Sequence, residues 1–201
     1  MEAATSQQRA IEGEKAQRIV EAMRSSVARR GVAGSTFDHV AREAQVSRGL
    51  LHYYFGTKER LLAEVVRRDC ELRMVALDEQ LADAHDADGV IAGLVESLKQ
   101  FVAEEPEFIV LVFELFTLSR RNDEIAVEFA ELLRRTREHL AQLLARKQAE
   151  GALRLRAEPE AVSDVLFALA DGICMRMLAE PDHDFSAAIE AGVIAVRGLL
   201  D

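Results

Sequence analysis

Arg48, His52, Tyr53, Tyr54 and Lys58 crowd into one short stretch, TFDHVAREAQVSRGLLHYYFGTKERL, residues 36–61. Guanidinium, imidazole, phenol and ammonium groups offer donors to phosphate oxygens and to base edges. Arg reads guanine in the major groove, and Tyr or His reaches thymine methyls or phosphates. Leu51 and Phe55 lie four residues apart and predict the inward side of a short helix. Arg48, His52 and Tyr53 then fall outward, a face that suits DNA better than a core. Both Tyr53 and Tyr54 packing inward is the competing reading, and one of them packing partly inward is expected.

The elements that position this face follow from the same stretch. Thr36 is a good N-cap, and Asp38 places a carboxylate in the first turn, where the helix dipole favours it. Val40, Ala41 and Ala44 share one face, and Ala41 is small enough for a close crossing. Ala44-Gln45-Val46 makes the turn, and Ser47 is expected to cap the second helix. Two short helices joined by a tight turn are a helix-turn-helix, whose second helix enters the major groove. Gln45 stands where such a turn favours Gly. A left-handed residue there costs roughly 1 kcal/mol against Gly.

At Val46, Ser47, Gly49, Leu51, Phe55, Thr57-Lys58-Glu59 and Leu61 the chain resembles the DNA-binding domain of the tetracycline-repressor (TetR) family, without gaps. The resemblance implies that Arg48, Gly49, His52 and Tyr53 approach bases or flanking phosphates, with Gly49 admitting the groove wall. It implies that Thr36, Ser47, Tyr54 and Lys58 anchor the DNA backbone. His52 departs from the family's usual Tyr.

The chain has 201 residues and a formal net charge of −10. The charge is split. Residues 1–68 carry 12 Lys and Arg against 8 Asp and Glu, a net +4; residues 69–201 carry 13 against 27, a net −14. A basic head on an acidic body turns the head toward phosphate, although acidic helix faces also simply solubilise. No run of 18 apolar residues predicts a membrane span, and the first residues lack a signal-peptide core, so a cytoplasmic protein is expected. Cys70 and Cys174 read as small buried hydrophobes, with a disulfide or redox pair as the alternative.

Sustained helical periodicity, few aromatics and three Pro predict an all-α fold of nine helices in two domains. Residues 1–12 are expected to be a flexible tail, 13–56 the DNA-binding domain, and 57–201 an effector-binding and dimerisation domain. Glu14 to Arg30 is the first helix, burying Ile19, Met23 and Val27 and stopped by Gly31. Thr57 caps the fourth, which runs to about Ala84 and offers Leu61, Leu62, Val65, Val66, Leu72 and Val75 for burial. The polar break at residues 83–89 lacks the Glu a calcium loop needs at its end, and reads as a loop with a capping Asp88. Val90 to Ala103 is the fifth helix. Pro106 opens a sixth that is apolar nearly all round, as a buried helix should be. Asp123 to about Glu150 is the seventh, closed by Gly151. Pro159 opens the eighth, and Phe185 to Leu200 is the ninth. The C-terminal part is most similar to the family's choline-responsive subgroup, through Leu169-Ala170-Asp171-Gly172 and Gly151-Ala152-Leu153, and no ligand is carried over.

Val165, Leu169, Ile173 and Met177 form a stripe around Gly172, and Val193, Val196 and Leu200 a matching one. With their symmetry mates they predict a four-helix homodimer contact, core packing within one subunit being the other reading. Phe101, Phe108, Val112, Phe116, Phe129, Phe167 and Met175 are candidates to line an effector pocket, or to fill a core. Glu114 and Asp171 interrupt apolar helices and need a partner there: Arg120, Arg121 or Arg176, or a polar ligand group. His139 is either a satisfied histidine or a ligand contact. No catalytic set, phosphate loop, metal motif or cofactor site is evident, and Ser25-Ser26 has no base in register. The expected protein is not an enzyme. It is a ligand-responsive regulator, a repressor by expectation, binding a palindromic duplex operator as a homodimer and released by a small molecule. An effector-independent DNA-binding dimer and a helical interaction adaptor are the alternatives.

Overall fold

The computed structural model describes residues 2–104 and 106–200, with side chains from Gly13 onward and without that of Glu104. Among the described residues there are nine helices and no strand: α1 (Glu2–Gly34), α2 (Phe37–Glu43), α3 (Arg48–Phe55), α4 (Lys58–Leu81), α5 (Ala87–Glu104), α6 (Pro106–Ser119), α7 (Asp123–Ala149), α8 (Pro159–Ala179) and α9 (Ser186–Leu200). The expected all-α architecture is what the chain adopts.

Helix α1 begins at Glu2, over residues expected to form a tail; Met1 lies outside the described residues. The correction has a local cause. Residues 2–12 hold no Pro or Gly and several good helix formers, so the helix propagates backward from its packed part. At its other end Gly31 takes φ +68° and breaks the helix where expected. Ser35 then donates to the Gly31 carbonyl at 2.9 Å and accepts from the fully buried Ser26 at 3.0 Å.

Two compact units arise. One comprises Met1–Asp69 with Val110–Phe129, the other Cys70–Ile109 with Ala130–Asp201. The division falls inside α4, not at its start. In the first unit Ile19, Met23, Val40, Leu51, Leu61, Leu62, Val65 and Val66 are buried. Each such side chain contributes about 1.5–3 kcal/mol by leaving water. The α6 residues Val110, Glu114 and Phe116 are exposed, so this helix is not enclosed all round as its composition suggested. Its core contact is carried by Phe108, Ile109, Leu111 and Leu115.

In the second unit, Leu81, Val90, Ile91, Leu140, Leu143, Leu144, Val162 and Leu200 form one apolar core. At Gly93, where α5 meets the end of α4, a Cβ would come within 2.4 Å of Leu81 Cδ2, so Leu81 would have to shift inside that core. Leu72 and Val75, expected to be buried, lie on the outer side of α4. This helix stops at Leu81, short of Ala84. Lys147 reaches from α7 to the carbonyls of Ala82 (3.0 Å) and Ala84 (3.1 Å), its side chain almost fully buried. Asp86, not Asp88, accepts from the Gly89 amide at 2.7 Å and so caps α5; Asp88 instead pairs with Arg197 on α9. Asn122 caps α7 by accepting from Glu124 and Ile125.

Candidate DNA-binding site and effector body

The turn between α2 and α3 is a Schellman motif. The Gln45 amide donates to the Arg42 carbonyl and the Val46 amide to that of Ala41, at 3.3 and 3.0 Å. The motif demands a left-handed residue, and Gln45 supplies φ +56°, the one such non-Gly residue among those described. The end of α7 uses the same pair of bonds, with Gly151 at φ +81° in the equivalent place. Gln45 therefore carries a conformational cost that Gly151 does not.

Helix α2 is held on α1 by Phe37, Val40, Ala41 and Ala44, all buried. Thr36 accepts from the His39 amide at 3.4 Å, a long version of the expected cap. Arg29 reaches from α1 to Glu43, and its guanidinium holds that carboxyl below its ordinary pKa. Ser47 occupies the N-cap position of α3 with extended backbone, but its hydroxyl makes no capping bond. Ser47 is exposed, so its hydroxyl is open to solvent on the side where a phosphate contact would be made.

On α3 the division of faces is the expected one. Leu51 is fully buried, while Arg48, Gly49 and His52 are exposed and Tyr53 is 75% exposed. Tyr54 is half-buried, edge-on to Tyr53 at 5.3 Å, so one tyrosine of the pair turns partly inward. His52 donates from Nδ1 to the Gly56 carbonyl at 3.0 Å and lies edge-on to Phe37 at 4.9 Å, which fixes its ring and leaves Nε2 outward. A Cβ on Gly49 would meet nothing closer than the Ser47 hydroxyl, 3.9 Å away. Nothing inside the protein demands glycine there; the demand would come from an approaching duplex.

Two residues behave differently from expectation. Lys58 is half-buried, and its ammonium donates to the Val32 carbonyl, tying the start of α4 to the end of α1. Its place is internal before it is a phosphate anchor. Asp38, read only as a helix-dipole carboxylate, also accepts from Arg48 Nη1, at 3.2 and 3.5 Å to its two oxygens. That ion pair orients the guanidinium and keeps Nε and Nη2 out of the contact. Sequence could have suggested it only by placing α2 beside the start of α3.

The other candidates are divided between the two units. Phe116 lies against Phe129 at 6.2 Å, half of it open to solvent, and Val112 is half-buried. Glu114 is exposed and needs no buried partner. In the second unit Phe101 and Phe108 stack edge-to-face at 5.5 Å, and Phe167 packs on the apolar core. His139 is satisfied by Asp78, whose carboxylate it meets at 3.1 Å and which also binds Arg146 at 3.2 Å. Met175 points outward and is half exposed. Arg176 turns to Glu180 at 4.0 Å, not to Asp171. The Asp171 carboxyl is raised above its ordinary pKa by burial among neighbouring atoms, although part of the residue remains open to solvent. One helical turn away Cys174 is buried as expected. Burial, then the Asp171 charge, push its thiol up to about 11, so it is an unreactive thiol. Cys70 is also free.

The outer sides of α8 and α9 need the same revision. Leu200 is fully buried in its own subunit, Val193 and Val196 pack on that core, and Ile173 lies beside Gly192 of α9. Leu169 and Met177 are half-buried. The outward stripe is Ala161, Val165, Ala168, Gly172, Met175 and Ala179 on α8; Ala191, Ile194, Ala195 and Gly198 continue it on α9. Ile194, 73% exposed, was missed because a period of four through Val196 and Leu200 selects the neighbouring, inward face. Of the expected set, Val165 and Gly172 belong to the outward stripe, and Gly172 has nothing within 4 Å of where a Cβ would be.

No described helix is long and apolar enough to cross a membrane. Among the described residues no group of three or more His, Cys, Asp or Glu could hold a metal ion.

Known proteins share this arrangement. The family model for bacterial regulatory proteins of the tetR family matches residues 19–65, and that for the C-terminal part of BetI-type transcriptional repressors matches residues 87–201. The HTH-type transcriptional regulator UidR of Escherichia coli is 22% identical over 181 residues, 90% of each chain. The HTH-type transcriptional repressor SCO4008 of Streptomyces coelicolor is 34% identical over 96 residues, which are 48% of this chain and 46% of that protein, so the match spans less than half of that relative's length. A transcriptional regulator from Saccharomonospora viridis, solved in complex with choline, superposes with a TM-score of 0.70 at 21% identity, covering 94% of this chain and 99% of that one. The chain belongs to the TetR family of bacterial transcriptional regulators, proteins that bind DNA and respond to ligands.

Proposed function

We propose that this protein is a ligand-released transcriptional repressor, not an enzyme, acting as a homodimer on a palindromic duplex operator. The observation that carries the reading is the outward face of α3. Arg48, His52 and Tyr53 are exposed around a glycine that no internal contact requires. Exposing a tyrosine ring to water is unfavourable unless it serves a partner, and base edges or phosphates are the partner this chemistry fits. The outward stripe of small residues on α8 and α9 supports an isologous contact with a second copy, since Gly172 and the flanking alanines allow helices to approach closely. Two linked heads are what successive half-sites need.

Release works through α4, which belongs to both compact units and begins at Lys58, three residues after α3 ends. A ligand that prefers one setting of α4 shifts the population toward it, and equal affinity for both settings would shift nothing. Selection of binding sites from a random duplex pool tests the reading. Enrichment of an inverted repeat supports it and supplies the operator probe; no enrichment at low salt removes DNA reading and leaves a helical adaptor. An inverted repeat whose affinity no compound changes reduces the protein to an effector-independent DNA-binding dimer.

A further inference from the structure

A neutral imidazole has one donor and one acceptor, and the bond made by one nitrogen fixes the role of the other. At His52 that bond is in place. Nδ1 lies 3.0 Å from the Gly56 carbonyl oxygen, which can only accept, so Nδ1 carries the proton. Turning the ring over would put a carbon on that carbonyl and lose the bond. The ring also rests edge-on against Phe37 at 4.9 Å, a buried residue at the start of α2. Nε2 is therefore the acceptor of the neutral ring. His52 is exposed, and among the described residues no protein group bonds Nε2. One turn earlier on the same face, Arg48 is fixed through Nη1 on Asp38 and offers donors only. The outward face of α3 thus presents donors at one level and a lone pair at the next.

We infer, resting on the proposed reading of α3 as the operator-reading face, that neutral His52 reads DNA as a hydrogen-bond acceptor and meets the exocyclic amino group of adenine or cytosine. The chemistry of the groove leaves it little else. Phosphate oxygens, guanine O6 and N7, adenine N7 and thymine O4 are all acceptors, and each would oppose the Nε2 lone pair. Adenine N6 and cytosine N4 are the donors at the major-groove edge. A phosphate contact would need a second proton on the ring. A tyrosine hydroxyl at this place would leave the choice open, since it both donates and accepts. Every base pair carries one such amino group, so His52 decides on which strand the amino base must stand.

The test selects sites from a random duplex pool at about pH 8, above the ordinary imidazole range. It uses the full-length protein, His52→Lys, whose ammonium only donates, and His52→Phe, which keeps a ring but accepts nothing. At one base pair of each half-site, His52→Lys should exchange amino and keto bases on each strand, and His52→Phe should lose its preference. Either variant alone identifies the pair. The amino base of that pair is then replaced by an analogue lacking only the exocyclic amino group. The unaltered protein should bind this duplex about three- to tenfold more weakly, and His52→Phe should not distinguish the two duplexes. Retention of the same bases by His52→Lys would mean that His52 donates, and overturns the inference. So does an unchanged preference at every pair in both variants; an equal fall in affinity on all sequences would then mark a phosphate contact. Full affinity of the unaltered protein for the duplex without the amino group overturns it as well. No enriched sequence at low salt would remove the operator reading itself, and the role of His52 with it.

Discussion

On α3 the outward residues are Arg48, His52 and Tyr53; on α8 and α9 they are Val165, Ala168, Gly172, Met175 and Ile194. Each face is open in the single chain, and each has a glycine that no internal contact requires. Their chemistry differs. The α3 face is made of directional donors on long side chains, which suit fixed acceptors at base edges. The α8–α9 face is small and apolar, so it gains by excluding water against a complementary surface. An unneeded glycine thus means close approach in both places, and its neighbours tell what approaches.

The sharpest way to break the comparison is Gly172→Glu. A Cβ at Gly172 meets nothing within 4 Å in its own subunit, so helicity should be unchanged, while a self-contact would bury two like charges. Sedimentation should show a monomer, and operator affinity should fall by about 10²–10⁴ as the two heads are unlinked. A dimer persisting with full affinity would move the interface off this stripe. Tyr53→Ala is next. It should weaken specific binding by about 1–3 kcal/mol, measured on the selected operator, with little change on unrelated duplex. Unchanged affinity in a folded variant would take Tyr53 out of the interface. Gln45→Gly is the smallest and acts in the opposite direction. It should raise the melting temperature, by roughly 1 kcal/mol of stability, and leave operator binding intact. A lowered melting temperature would show that glycine's extra freedom in the unfolded chain outweighs the relief of a left-handed Gln.

Much of the head was legible because its signals are local. The positive φ at Gln45, the break at Gly31, and the burial of Val40, Ala41, Ala44 and Leu51 all follow from turn chemistry and a period of about four over short stretches. The body was less legible because its candidates turn on which side of a long helix faces inward. On α9 a period of four through Val196 and Leu200 chose the inward face and overlooked Ile194. On α6 the composition gave no contrast between sides, and Glu114 and Phe116 lie outside. Of the pocket candidates, His139 is taken up by Asp78 and Met175 faces outward.

The residue order by itself determined the number of helices, the stops at Gly31 and Gly151, the charge division between head and body, and the outward chemistry of α3. Those depend on backbone propensity, capping and residue type, which act within a few residues. Only the tertiary structure decided the pairing of Asp38 with Arg48, the burial of Lys147 against the end of α4, and the placing of Arg73 over Phe101 and Phe108. Each joins groups from different helices, and their meeting depends on crossing angles and helix rotations that no local pattern encodes.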